Sequence, residues 1–222
     1  MRVLWIAFLI VVVDQATKVW VKTNMYLGES IPVIGDVFKW TFTENPGMAF
    51  GLELGSKVFL TVFSVLATFL ILGYLWHVRK GPVGYRVALA LVLGGAFGNV
   101  IDRVFYGVWW GYDALLYGKV VDFIHIDIGT LRVPEFVPGI GGSGFQMFPI
   151  GNIADQAIIA GVVLIVITQG AFQEWVARTH SAGLMAAPRA DGAAPVVVDP
   201  VAAPETFTDV QPPATDGTEG TA

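Results

Sequence analysis

Four long apolar runs constrain this chain more than any other feature. They cover residues 3–21, 58–76, 87–101 and 153–172. About 20 apolar residues are needed for a helix to cross the hydrocarbon core of a bilayer. Three runs meet that length, and the third does so only if its polar end, Asp102-Arg103, is counted. Lipid offers no partner to backbone amides, so such runs are expected as helices. Composition agrees: 55% of the 222 residues are hydrophobic and 14% are charged, where soluble domains carry about a quarter. The first run is expected to be retained rather than removed as a leader, because Asp14 and Lys18 interrupt it and no small-x-small site follows.

Lys and Arg near the run ends set the expected orientation. Arg79, Lys80 and Arg86 crowd the link between the second and third runs; Arg2 and Arg178 fall on the same side of a four-span chain. Both termini are therefore expected in the cytoplasm. The opposite side carries Lys22, Lys39, Lys57, Lys119 and Arg132, so the bias is one of density. Two outer loops, 22–57 and 105–151, hold the strand-like stretches. Residues 37–43 alternate as a half-buried strand does, and 120–128 reads as a second strand. The Gly-rich stretch 137–144 reads as turn. The membrane domain is set at 1–175, with a cytoplasmic tail over 176–222. From about 182 the tail is rich in Ala, Pro, Thr, Asp and Gly and too poor in large apolar residues to fold. Net charge is −5, but six acids and one Arg from Gly183 onward account for it. No basic stripe suggests nucleic acid.

Polar residues in or beside apolar runs are costly, and so are functional candidates by default. Asp14 and Lys18 are spaced i,i+4 with the acid first, the favourable order for an ion pair that holds a helix in a bundle. Asn99, Asp102 and Arg103 share one helix face, and the adjacent Arg103 gives Asp102 a basic partner close in sequence, although Arg103 alone would also suit snorkelling to the interface. Gly94-Gly95-Ala96 just upstream permits close helix approach. In Asn152-x-x-Asp155 taken alone, Asn152 reads better as a helix N-cap than as a functional residue, and Asp155 reads equally as a dipole-favoured acid and as a functional one. Asp122 lies on the strand at Val121-Asp122-Phe123, and Asn45-Pro46-Gly47 is turn chemistry. Two converging carboxylates that share one proton can activate a water molecule, and Asp122 and Asp155 are the candidates.

A metal centre is not expected. Strand alternation puts Asp122 on the face opposite His125 and Asp127. The chain has three His and no His-Glu-x-x-His. It has no Cys, which removes thiolate ligands, disulfides and a Cys nucleophile.

Five motifs occur in order: Asp14-Gln15-x-x-Lys18, Asn45-x-Gly47-x-Ala49-Phe50-Gly51, Gly98-Asn99-x-x-Asp102-Arg103, Val121-Asp122-Phe123 and Asn152-Ile153-Ala154-Asp155. In this the chain resembles the lipoprotein signal peptidase (signal peptidase II) family over residues 1–175. The resemblance implies an α-helical membrane protein, four transmembrane helices with a small extracytoplasmic β-cradle, in the bacterial inner membrane. It implies an aspartic endopeptidase that cleaves prolipoproteins before a diacylglyceryl-modified cysteine, near the extracytoplasmic face and without metal or organic cofactor. Asp122 and Asp155 would be the catalytic pair. Asn45, Asn99, Arg103 and Asn152 would support substrate and pair; Asp14, Lys18 and Asp102 would be structural. Lipid-modified prolipoproteins and membrane lipids would be its partners, and a monomer is expected. The chain departs from the family in an aromatic insertion at 108–119, expected as an interfacial flap over the site. It departs again in an extension over 128–148, and in Gly151, where the family commonly has Phe. Two other classes compete on the residues alone. A proton-coupled transporter would spread polar residues through the bilayer depth, and a non-catalytic scaffold would use its acids only in ion pairs.

Overall fold

The computed structural model describes residues 2–49, 52–53, 57–137, 141–142 and 144–186. Phe50 and Gly51 of the second motif and the tail over 187–222 lie outside the described residues. The apolar runs form helices α1 (Leu4–Asn24), α2 (Lys57–His77), α3 (Val83–Trp109) and α4 (Ile153–Ala186), and each is long and apolar enough to span a membrane. Hydropathy misplaces three ends. α3 begins before residue 87 and continues through Asn99, Asp102 and Arg103 to Trp109, because partners inside the protein satisfy Asn99 and Asp102. α4 continues past residue 172 to Ala186, through a stretch with Ala, Gln, Glu and Leu, all good helix formers. Helix therefore reaches into the segment expected to lack structure from about 182.

The strands are β1 (Ser30–Ile34), β2 (Phe38–Asn45), β3 (Met48–Ala49), β4 (Leu52–Glu53), β5 (Val120–Ile126), β6 (Thr130–Arg132) and β7 (Gly144–Gln146). Three of them make an antiparallel sheet in the order β1-β2-β5; β3-β4 and β6-β7 are separate two-stranded pairs. The expected strands over 37–43 and 120–128 are β2 and β5. Trp40 faces Ile124 and Thr43 faces Asp122, so β2 carries one extra residue between them. This bulge bends the sheet beside Asp122. On the other edge of β5, Ile124 and Gly151 exchange two backbone hydrogen bonds of 2.7 and 3.0 Å. That stitch brings the start of α4 against β5.

Two apolar clusters hold these parts together. Val3, Ala7, Leu75, Val78, Leu89 and Leu93 join α1, α2 and α3 at the end remote from the sheet. Val21, Met25, Phe42, Tyr106, Val121 and Phe123 join α1, α3, β2 and β5 at the sheet end. Small residues set the helix spacing. Gly94 lies against the Ala7 backbone, and a Cβ on Gly95 would collide with the Ala154 carbonyl. Outward faces are bare hydrocarbon: Phe63 and Leu70 on α2, and Val166 and Ile167 on α4, are exposed. Apolar surface on this scale marks a lipid or protein contact, and four spanning-length helices make lipid the natural one.

Candidate active site

α4 opens with a reciprocal cap. The Asp155 N–H donates to Asn152 Oδ1 at 3.0 Å, and the Asn152 N–H donates to Asp155 Oδ2 at 3.1 Å. Both orphan donors of the first turn are satisfied by the partner's side chain, as in a capping box. The N-cap reading and the functional reading of Asn152 and Asp155 therefore describe the same geometry. With its oxygen taken, the Asn152 amide donates from Nδ2 to Asp122 Oδ1 at 2.7 Å and to Asn99 Oδ1 at 3.2 Å. One amide thus reaches both acids, joined to Asp122 by its side chain and to Asp155 by the cap.

Asn99 completes the ring. Its Oδ1 accepts from Lys18 Nζ at 2.9 Å, and its Nδ2 donates to Asp155 Oδ1 at 2.8 Å. An ammonium has no acceptor, so Lys18 fixes which end of the Asn99 amide faces Asp155. Both Asp155 oxygens accept hydrogen bonds. Asp122 also takes a side-chain bond from Asn45, whose own Oδ1 is held by the Gly47 N–H at 2.9 Å. Burial, and after it the charge of Asp155, pushes the Asp122 carboxyl up to about 7; the bonds from Asn152 and Asn45 and the charge of Lys18 act in the opposite sense.

Beneath this ring lies a second acid pair. Lys18 Nζ sits 2.9 Å from Asp14 Oδ2 and 2.8 Å from Asp102 Oδ2, and all three side chains are 0% exposed. Gln15 donates to Asp102 Oδ1 at 2.9 Å and to the Gly98 carbonyl at 3.1 Å, and accepts from the Tyr106 hydroxyl at 3.1 Å. The two acids reach further. Asp102 Oδ2 accepts the Val121 N–H at 3.2 Å, and Asp14 Oδ1 accepts the Ala154 N–H at 2.9 Å. Each therefore holds the backbone amide of the residue directly before Asp122 or Asp155.

Arg103 stands apart. The charges of Asp122, Asp102 and Asp155 act on it, yet it makes no ion pair with a described residue. It lines a cavity of about 210 Å³ between α2, α3 and α4, together with Phe63, Ser64, Ala67, Thr68, Ala96, Asn99 and Ile158.

The sequence motifs thus converge, with two corrections. Asp102 does not pair with the adjacent Arg103; its cation is Lys18, on another helix. The insertion at 108–119 does not stand off as a flap. It folds back on the end of α3, with Leu116, Gly118 and Tyr112 N–H groups bonded to the Val104, Arg103 and Gly107 carbonyls. Sequence reasoning passed over Gln15, although it lies inside the first motif, and Tyr106, a lone aromatic with no local signal. Gly151 proves to be where β5 meets α4, and a Cβ there would lie 2.9 Å from Asp155 Oδ2.

A bundle of four spanning-length helices that brings two carboxylates to shared amides, with no cation paired to either among the described residues, defines a multi-pass membrane protein with a polar site at one end. The comparisons with known proteins narrow this. The family model described as Signal peptidase (SPase) II matches residues 6–170, and the chain belongs to that family of membrane proteases. It is 41% identical over 180 residues to the lipoprotein signal peptidase of Amoebophilus asiaticus, covering 75% of this chain and 76% of that one. It is 38% identical over 165 residues to the lipoprotein signal peptidase of Bacillus subtilis, covering 73% and 88%. A solved bacterial membrane enzyme superposes with TM-score 0.55 at 32% identity, covering 76% of this chain and 92% of the other.

Proposed function

We propose that the chain is an aspartic endopeptidase that removes signal peptides from prolipoproteins, cutting before a diacylglyceryl-modified cysteine, with Asp122 and Asp155 as its catalytic pair. The observation that carries this reading is the Asn152 amide, bonded to Asp122 by its side chain and locked to Asp155 by the cap. Asp155, with both oxygens accepting hydrogen bonds, is the ionised member and the general base. It takes a proton from a water that attacks the scissile carbonyl. Asp122, kept protonated to about pH 7, donates to that carbonyl oxygen; on collapse it takes a proton back from the diol hydroxyl while Asp155 passes the water's proton to the leaving amine. Arg103, with no ion pair among the described residues and within the field of both acids, would bind a peptide carbonyl of the substrate, and the cavity between α2, α3 and α4 would give a membrane-embedded substrate a lateral approach.

The sheet end would face outward from the bacterial inner membrane, with both termini in the cytoplasm. Support comes from how the basic residues are placed. Lys22 and Lys119 pair with Glu44, Lys39 with Asp127 and Lys57 with Asp113. The Arg79-Lys80-Arg86 cluster makes no ion pair with a described residue. The density of Arg79, Lys80 and Arg86 in one short link, which is what the positive-inside bias counts, supports that end as cytoplasmic.

The test is cleavage of a lipidated prolipoprotein in detergent by Asp122→Asn and Asp155→Asn variants, with an unlipidated substrate alongside. Either variant turning over at a near-normal rate would remove the assignment. Equal cleavage of the unlipidated substrate would remove the lipid requirement.

A further inference from the structure

One charged cluster lies outside the ring around the two acids. Asp14, Lys18 and Lys22 follow one another at i,i+4 along α1, so they share a face. Lys22 lies in the last turn of α1 and pairs with Glu44 of β2. The other oxygen of Glu44 receives Lys119 Nζ at 3.0 Å. Glu44 is thus held between two lysines, one from α1 and one from the residue that immediately precedes β5. Lys22 Nζ lies 5.1 Å from the Tyr112 ring centroid and 5.3 Å from that of Trp110, and Lys119 Nζ lies 5.2 Å from Tyr112. The Tyr112 hydroxyl also accepts the Lys119 N–H at 2.8 Å. The aromatic insertion therefore walls in the cluster, which Lys119 closes. The side chain of Glu44 is 13% exposed, and its flanking lysines hold its carboxyl below the usual range despite burial. An ordinary solvated surface pair contributes almost nothing; this cluster is shielded and shared among three elements.

Its position gives it a task. Glu44 faces Val121 in the sheet register, and its neighbour Thr43 faces Asp122. The bulge of β2 lies just before them, at the point where register is weakest. We propose that Glu44, clasped by Lys22 and Lys119, is a positioning residue that locks the register of β2 and β5 and so sets where Asp122 meets Asn152. The role rests on the catalytic assignment of Asp122. It is measurable without it, because strand register has its own readout.

Displacing a reacting group by an ångström costs up to about 100-fold in rate. Glu44→Gln keeps the shape, removes the charge and leaves two lysines repelling one another. The expected result is a kcat lower by about 10- to 100-fold with KM within about twofold, measured on monodisperse folded protein. Amide exchange should quicken over residues 119–123 and stay unchanged in α2. Lys119→Gln, on a partly exposed lysine, should give a smaller loss, and Lys119→Arg should retain wild-type kcat. The Glu44→Gln/Lys119→Gln double variant should be no worse than Glu44→Gln alone, since one unit is broken once. Wild-type kcat and exchange in Glu44→Gln would overturn the proposal, as would a loss matched by the unfolded fraction. Altered exchange over 119–123 with no change in kcat would keep the register lock but sink its link to Asp122. If Asp122→Asn itself stays active, the catalytic reading fails while the exchange result still decides the register claim.

Discussion

Four carboxylates meet at the sheet end of the bundle, three buried and Asp155 half-buried, and they keep very different company. Asp14 and Asp102 grip Lys18 from both sides at 2.9 and 2.8 Å. Among the described residues Asp122 and Asp155 pair with no cation, and they are held by the amides of Asn45, Asn99 and Asn152. The first pair shares one ammonium and can only hold. The second has amides in place of a paired cation, which suits the proton transfer proposed for it. The pairs are joined through the backbone, since the first holds the N–H groups next to the second.

Exchanging the roles would break this contrast most severely. Asp122→Asn or Asp155→Asn should lower kcat by at least about 10³-fold while the protein stays folded, because an amide keeps the hydrogen-bonded shape but cannot take the proton. Lys18→Met should act the other way, on the fold. It strands two buried acids, and removing one partner of a buried ion pair costs about 3–5 kcal/mol. A lowered melting temperature in detergent, partly recovered in an Asp14→Asn/Lys18→Met/Asp102→Asn variant, would check it.

The pairs should also differ in pH dependence. Asp122 stays protonated in the folded protein up to about pH 7, whereas its ordinary value is 3.8. Between those values the unfolded chain releases a proton that the folded one retains. Stability present below about pH 4 is therefore lost as pH rises to about 7, by an amount on the order of a few kcal/mol. Melting curves across that window should slope downward with pH, and Asp122→Asn should flatten them. Activity should fall on the alkaline side near pH 7 as Asp122 loses the proton it donates.

Smaller effects sharpen the contrast. Gly151→Ala puts a methyl group against Asp155 Oδ2 and should cost about tenfold in kcat with little change in melting temperature. Lys39→Met removes the pairing with Asp127 at the exposed end of the sheet and should leave kcat unchanged, as expected for a solvated pair.

Hydropathy made the four helices legible, because each must present apolar side chains to lipid over its whole length. It failed at the far end of α3, where Asn99, Asp102 and Arg103 look like an exit from the membrane but Asp102 is buried and the other two are half-buried in the protein. Alternation exposed β2 and β5. It gave no sign of β6 and β7, three-residue strands around a Gly-rich turn, too short to show a period. Local spacing found the Asp14–Lys18 pair. It assigned Asp102 to the wrong cation, because the true one lies on a different helix and only packing brings it near. Motif order named Asp122 and Asp155, whereas the shared amide between them exists only once Gly151 has stitched α4 to β5.

Lys18 has a consequence beyond its two ion pairs. A pair of identical acids is formally interchangeable, and either could serve as acid or base. Here a residue that bonds to neither breaks that equivalence by orienting the Asn99 amide toward Asp155 alone. The two halves are told apart before any substrate arrives. A ligand whose hydroxyl and ammonium groups are matched to that handedness should bind far better than its mirror-related isomer.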